Sequence, residues 1–131
     1  MTDYELVYFL NECFNTLFSV FSFYMTGLFA MLVASYLAAA KLKRRMAGLV
    51  VGLFSLFAFA TIPATVAATA RLASVLAEAD RRAAVPDSGI AFVFTSAVPV
   101  PYMVPTIAAL LVGSYIGAIV FFVQARRSAR D

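Results

Sequence analysis

Residues 13–40 read CFNTLFSVFSFYMTGLFAMLVASYLAAA, and no side chain in that stretch carries a charge. About 20 apolar residues are enough to cross the hydrocarbon core of a bilayer as a helix, so this stretch is longer than one crossing needs. It ends abruptly on a basic cluster, Lys41, Lys43, Arg44 and Arg45. Two more uncharged stretches follow, residues 46–70 and the region between Asp87 and Arg126, and the last runs into a second basic cluster, Arg126, Arg127 and Arg130. Three long uncharged stretches bounded by bases predict an all-α integral membrane protein with three transmembrane helices.

Composition agrees. The chain has 131 residues, 63% hydrophobic and 13% charged, where soluble domains carry about a quarter charged residues. A soluble fold of this length has too little interior to hide that much apolar surface. The formal net charge is +3, and seven of the ten basic residues lie in the two clusters. Because each abuts an apolar run, their expected role is to set membrane orientation and not to bind nucleic acid. There is no histidine, which removes the commonest metal ligand, the usual general base and imidazole ligation of haem or chlorophyll. The lone Cys13 cannot form an internal disulfide, and its expected role is that of a small buried apolar filler. Asp3, Glu5 and Glu12 precede the first apolar run where a signal peptide would be basic, so no cleaved signal is expected, and neither end shows a lipidation motif.

Basic loops favour the cytoplasmic side, which places the Lys41–Arg45 turn and the Arg126–Arg130 tail inside and the acidic start outside: N-out, C-in. Arg71, Arg81 and Arg82 on the outer side break the rule, with Glu78, Asp80 and Asp87 offsetting them. Helix 1 is expected over about residues 4–40, helix 2 over about 46–83, an outer loop over about 84–104 and helix 3 over about 105–126, all in one domain. Helices 1 and 2 exceed the bilayer thickness even when tilted, so they are expected to form a long antiparallel hairpin projecting outside. Leu72, Val75, Leu76 and Ala79 recur at helical spacing, giving helix 2 an apolar stripe beyond the membrane. Tyr4, Val7 and Tyr8 are expected to pack on it, with Glu78 and Arg82 pairing on its wet side. Pro99, Pro101 and Pro105 argue against a regular helix over 98–105, leaving a proline-rich outer segment before helix 3. Pro63 inside helix 2 frees the carbonyl of Phe59, which Thr61 or a neighbouring helix is expected to satisfy.

The polar residues of the spans are arranged in rows. Asn11, Asn15, Ser19, Ser22 and Thr26 recur every three or four residues on helix 1, bordered by Glu12, and Thr61, Thr65 and Thr69 repeat every four on helix 2. Both rows read as helix contacts, within one chain or between chains, or as the lining of an outward-facing vestibule. Gly48 with Gly52, and Gly113 with Gly117, form two GxxxG pairs that allow close backbone approach, and Ala30, Ala34 and Ala38 repeat the spacing on helix 1. A single three-helix chain can hardly use all these faces on itself.

No acidic, basic or histidine side chain lies within a predicted span. This argues against an enzyme or a proton-coupled transporter, both of which need titratable groups in a cleft or in the membrane. No catalytic, cofactor-binding or metal-ligating residue is expected, and no cofactor. The expected partners are the lipid bilayer and either further copies of the chain or a larger membrane complex, in a bacterial inner membrane. The expected function is that of a self-associating or accessory membrane subunit. The alternative is a homo-oligomeric pore lined by the Asn/Ser/Thr face of helix 1. Its three-span, basic-tailed topology is similar to that of some phage holins, in topology alone.

Overall fold

A computed structural model describes residues 2–38, 41–83 and 99–128. These residues form three helices, α1 (Asp3–Ala38), α2 (Arg44–Ala83) and α3 (Val100–Ser128), each long and apolar enough to cross a membrane. At 1.5 Å per residue they measure about 54, 60 and 44 Å, against a hydrocarbon core of about 30 Å. Every pair of helices is in contact.

The start of α1 is fixed by a reciprocal cap. The Thr2 amide donates to Glu5 Oε2 at 2.7 Å, and the Glu5 amide donates to Thr2 Oγ1 at 3.3 Å, which satisfies two of the donors that a helix leaves open at its N-terminus. The helix α3 begins at Val100 and carries Pro105 within it, upstream of the start that its prolines suggest. Pro101 falls in the first turn, where its missing N–H would have had no intrahelical acceptor. The Tyr102 amide closes that turn onto Pro99 O at 2.9 Å. Pro105 costs one backbone bond near the helix end and does not stop the helix. The expected outer loop falls largely on residues 84–98, outside the described residues.

Three apolar clusters stack along the bundle. At one end Leu6, Leu10 and Cys13 of α1 meet Leu72, Val75, Leu76 and Ala79 of α2, with Val100 and Met103 of α3 at the edge. The apolar stripe of α2 is thus covered, but by a different strip of α1 from the one expected. Tyr4, Val7 and Tyr8 are exposed, and Leu6, Leu10 and Cys13 take their place. These three share one helical face, and aliphatic side chains fill the narrow gap between helices where a tyrosine would have to bury its hydroxyl. In the middle, Tyr24, Ala58 and Leu111 meet, one from each helix. At the basic end Met31, Ala47, Phe54, Ala118 and Phe122 close the bundle.

Two polar ties cross the middle. The buried Tyr24 hydroxyl donates to Leu111 O at 2.8 Å and lies 2.8 Å from Ser114 Oγ in a second hydrogen bond, joining α1 to α3. Ser55 Oγ and the Tyr115 hydroxyl share a 2.7 Å hydrogen bond between α2 and α3, and the Tyr115 ring stacks on Phe54 with centroids 5.6 Å apart. Beside Tyr24, Gly27 gives the Phe57 ring its place, since a Cβ there would collide with it. Above the apolar clusters Arg82 donates to Glu78 Oε1 at 3.1 Å and reaches Asp3 Oδ1 at 3.5 Å, linking the end of α2 to the start of α1.

Tyr24→Phe removes one interhelical tie and is expected to cost about 0.6 kcal/mol, with about 1.7 kcal/mol as the upper limit. Gly27→Val forces Phe57 from its site and is expected to cost more, about 1–3 kcal/mol. Reversible unfolding of the purified protein in mixed micelles measures both.

Candidate helix-contact face

The polar row of α1 is set by helical geometry. At 100° per residue Asn11, Asn15, Ser19, Ser22 and Thr26 fall within an arc of about 80°. The buried residues of α1, Leu6, Leu10, Cys13, Tyr24, Met31 and Ser35, centre about 180° away on the same wheel. The row therefore faces away from its own bundle. Asn11, Asn15, Ser19 and Thr26 are exposed, and Ser22 is half-buried.

Not all of these groups are in the same state. Thr26 donates to Ser22 O at 2.8 Å and the neighbouring Thr16 to Glu12 O at 3.0 Å, so both hydroxyls are satisfied by their own helix. Asn11, Asn15 and Ser19 have no hydrogen-bond partner among the described residues. Measured along α1 from Ala38, Thr26 lies about 18 Å away, Ser19 about 29 Å and Asn15 about 35 Å. If the hydrocarbon layer of about 30 Å begins near Ala38, beside the Lys41–Arg45 cluster, Ser19, Ser22 and Thr26 are inside it, Asn15 lies about 5 Å past its far boundary and Asn11 about 10 Å past it. Glu12 and Arg71 lie near the same level and line a groove of about 330 Å³ between α1 and α2, floored by Cys13 and Ala68.

The threonine row of α2 does the opposite. Thr65 and Thr69 are fully buried and Thr61 is half-buried, and each donates to a carbonyl one turn back, at 2.8–2.9 Å. The two rows do not meet: one points into the bundle and is self-satisfied, the other points out and is not. Thr61 bonds Phe57 O, not the Phe59 carbonyl that Pro63 frees.

The glycine pairs also face outward. A Cβ at Gly48, Gly52, Gly113 or Gly117 would meet nothing within 4 Å, so none of the four is needed for contact inside this chain. At the basic end the fold gathers Arg44, Arg126 and Arg127 around one groove between α2 and α3, while Lys41, Lys43 and Arg45 are exposed. Among the described residues no three His, Cys, Asp or Glu side chains come together as a metal site. Tyr24, Ser55 and Gly27, which organise the interior, are not legible as contact residues from spacing; the only available signal was a tyrosine in mid-span three residues before a glycine.

No protein-family model, no curated protein and no solved structure matches this chain.

Asn15→Leu and Ser19→Leu fall at exposed positions with no hydrogen-bond partner among the described residues and are expected to change the stability of isolated single copies by less than about 0.5 kcal/mol. Thr69→Leu, at a fully buried position, is expected to lose about 1–3 kcal/mol by overpacking. The same micelle unfolding assay, run at a dilution that keeps copies apart, separates the two classes.

Proposed function

We propose that this chain is a non-enzymatic membrane subunit that associates through the polar face of α1 and the glycine faces of α2 and α3, with further copies of itself or within a larger membrane complex. In this reading α1 and α2 form a long hairpin. Its acidic start lies outside and the basic turn and tail lie in the cytoplasm, in a membrane of the bacterial inner type, as the distribution of basic residues favours. The observation that carries the proposal is the direction of the α1 row. Asn15 and Ser19 face away from the other two described helices, with no bonding partner among the described residues. Within the hydrocarbon a group such as Ser19 is better placed against another helix than against lipid tails, with Asn15 one turn farther out on the same face, and each interhelical hydrogen bond contributes about 0.6 kcal/mol on average. Outward glycines add close backbone approach on the other sides.

A pore is the second reading, favoured by the continuity of the row from Asn11 to Thr26. The same face argues against it farther down. One further turn along from Thr26 come Phe29 and Val33, exposed by 61% and 54%, which continue the strip on the helical wheel. Copies arranged with this face on a common axis would present polar groups in one half and an apolar constriction in the other. Such an arrangement makes a vestibule and not an open aqueous path.

Counting subunits by single-molecule photobleaching in native-lipid nanodiscs tests the proposal. The expected result is two or more copies, or one copy with a co-purifying membrane chain, and a shift toward solitary copies for the Asn15→Leu/Ser19→Leu double variant. Solitary wild-type copies would overturn it. Proteoliposomes of the wild type are expected to show no ion flux; flux that rises with Asn15→Asp would establish the pore instead.

A further inference from the structure

The basic end of the bundle contains a feature that neither orientation nor self-association requires. Between the start of α2 and the end of α3 runs a groove of about 710 Å³, with Arg44 on one wall and Arg126 and Arg127 on the other. Its remaining lining is apolar and includes Gly48, Val51, Phe122 and Val123. Arg44 and Arg127 are exposed at its mouth, and Arg126 is drawn partly inside. The Arg126 Nη2 atom is shielded from solvent and has no hydrogen-bond partner. A shielded guanidinium nitrogen with no acceptor among the described residues is an expensive arrangement, and an anionic oxygen relieves it.

The chain supplies no such oxygen among the described residues. Asp3, Glu5, Glu12, Glu78 and Asp80, the described carboxylates, all belong to the opposite end of the helices. Three arginines line this one groove with no carboxylate at this end among the described residues, and guanidinium forks suit the paired oxygens of a phosphate. The apolar part of the groove narrows the ligand further. From the arginines it runs inward toward the middle of the bundle, along residues of the uncharged stretches, and at Gly48 nothing stands within 4 Å of where a Cβ would be. A soluble anion would use the arginines and leave that wall empty.

We propose that this groove is a binding site for an anionic glycerophospholipid, with its phosphate held by Arg44, Arg126 and Arg127 and an acyl chain lying along Gly48, Val51 and Phe122. Basic pockets between membrane helices at a cytoplasmic face suit such headgroups. The site differs from general attraction of a basic surface to an acidic leaflet. It depends on the two groove-lining arginines of α3 and on the open space at Gly48, and it does not depend on Arg45, which is exposed at the same end and lies outside the groove.

Native mass spectrometry of the full chain in an uncharged detergent, titrated separately with dioleoylphosphatidylglycerol and dioleoylphosphatidylcholine, tests this. The wild type is expected to retain one phosphatidylglycerol at least about tenfold more tightly than phosphatidylcholine. Arg126→Gln/Arg127→Gln is expected to weaken it at least about tenfold, on the basis of about fivefold per basic group. Gly48→Leu keeps every charge but fills the wall, and is expected to weaken phosphatidylglycerol by a similar factor. Arg45→Gln is expected to change the affinity by less than about twofold. Circular dichroism of each variant checks that the helices are intact. Equal retention of the two lipids would overturn the proposal, as would equal losses for Arg45→Gln and the α3 pair, or no effect of Gly48→Leu. Displacement of the lipid by millimolar inorganic phosphate would also overturn it, because the arginines alone would then account for binding.

Discussion

A hydrocarbon layer offers no hydrogen-bond partner, so every polar group placed in it must find one on protein. That constraint organises this molecule. Apart from the carbonyls that Pro63 and Pro105 release, the backbone groups are satisfied inside three long helices, and the inward side chains follow suit. Tyr24 closes on Leu111 O and Ser114, Ser55 on Tyr115, and Thr65, Thr69 and Ser35 each on a carbonyl of their own helix. Within this economy the outward row of α1 stands apart. Asn15 and Ser19 have no partner in the described chain, and their position makes sense if another protein surface covers them.

The two ends of the bundle are built differently. At the Asp3 end, charges of both signs sit close together, and Arg82 ties α2 back to the start of α1 through Asp3. At this end Tyr4 and Tyr8 are exposed and the carboxylates lie at the surface beside the arginines. At the other end the described charges are all basic, and an arginine nitrogen is buried without an acceptor. The first end pairs its charges within the described residues; at the second, the described residues offer no carboxylate.

Much of this was legible in the amino-acid sequence, for identifiable reasons. The spans were clear because a charged residue is costly in hydrocarbon, so the positions of Glu12, Lys41, Arg45, Arg71 and Arg126 bracket them. The covered stripe of α2 was clear because Leu72, Val75, Leu76 and Ala79 alternate with polar residues. The strip of α1 that covers it was not. The first turns of α1 are apolar on nearly every side, and the tyrosines drew the reading away from Leu6, Leu10 and Cys13. Three prolines at the start of α3 look like helix breakers in sequence, although Pro101 sits in the first turn, where proline costs little. The α1 row itself was plain from spacing; its direction was not, because that depends on where Leu6, Tyr24 and Met31 find their partners. Gly27 was hidden for the same reason, as its need arises from Phe57 on another helix.

The central claim is that the polar row of α1 is covered by protein. A nitroxide spin label at Ser19, in a Cys13→Ala background, reconstituted in lipid bilayers, reads this directly through its mobility and its accessibility to molecular oxygen. The expected spectrum is strongly immobilised, with oxygen accessibility well below that of a label at Leu53, which is exposed on α2 and lies at least about 100° around the helix from Gly48 and Gly52. A mobile label at Ser19 with the high oxygen accessibility of a lipid-facing site would contradict the claim.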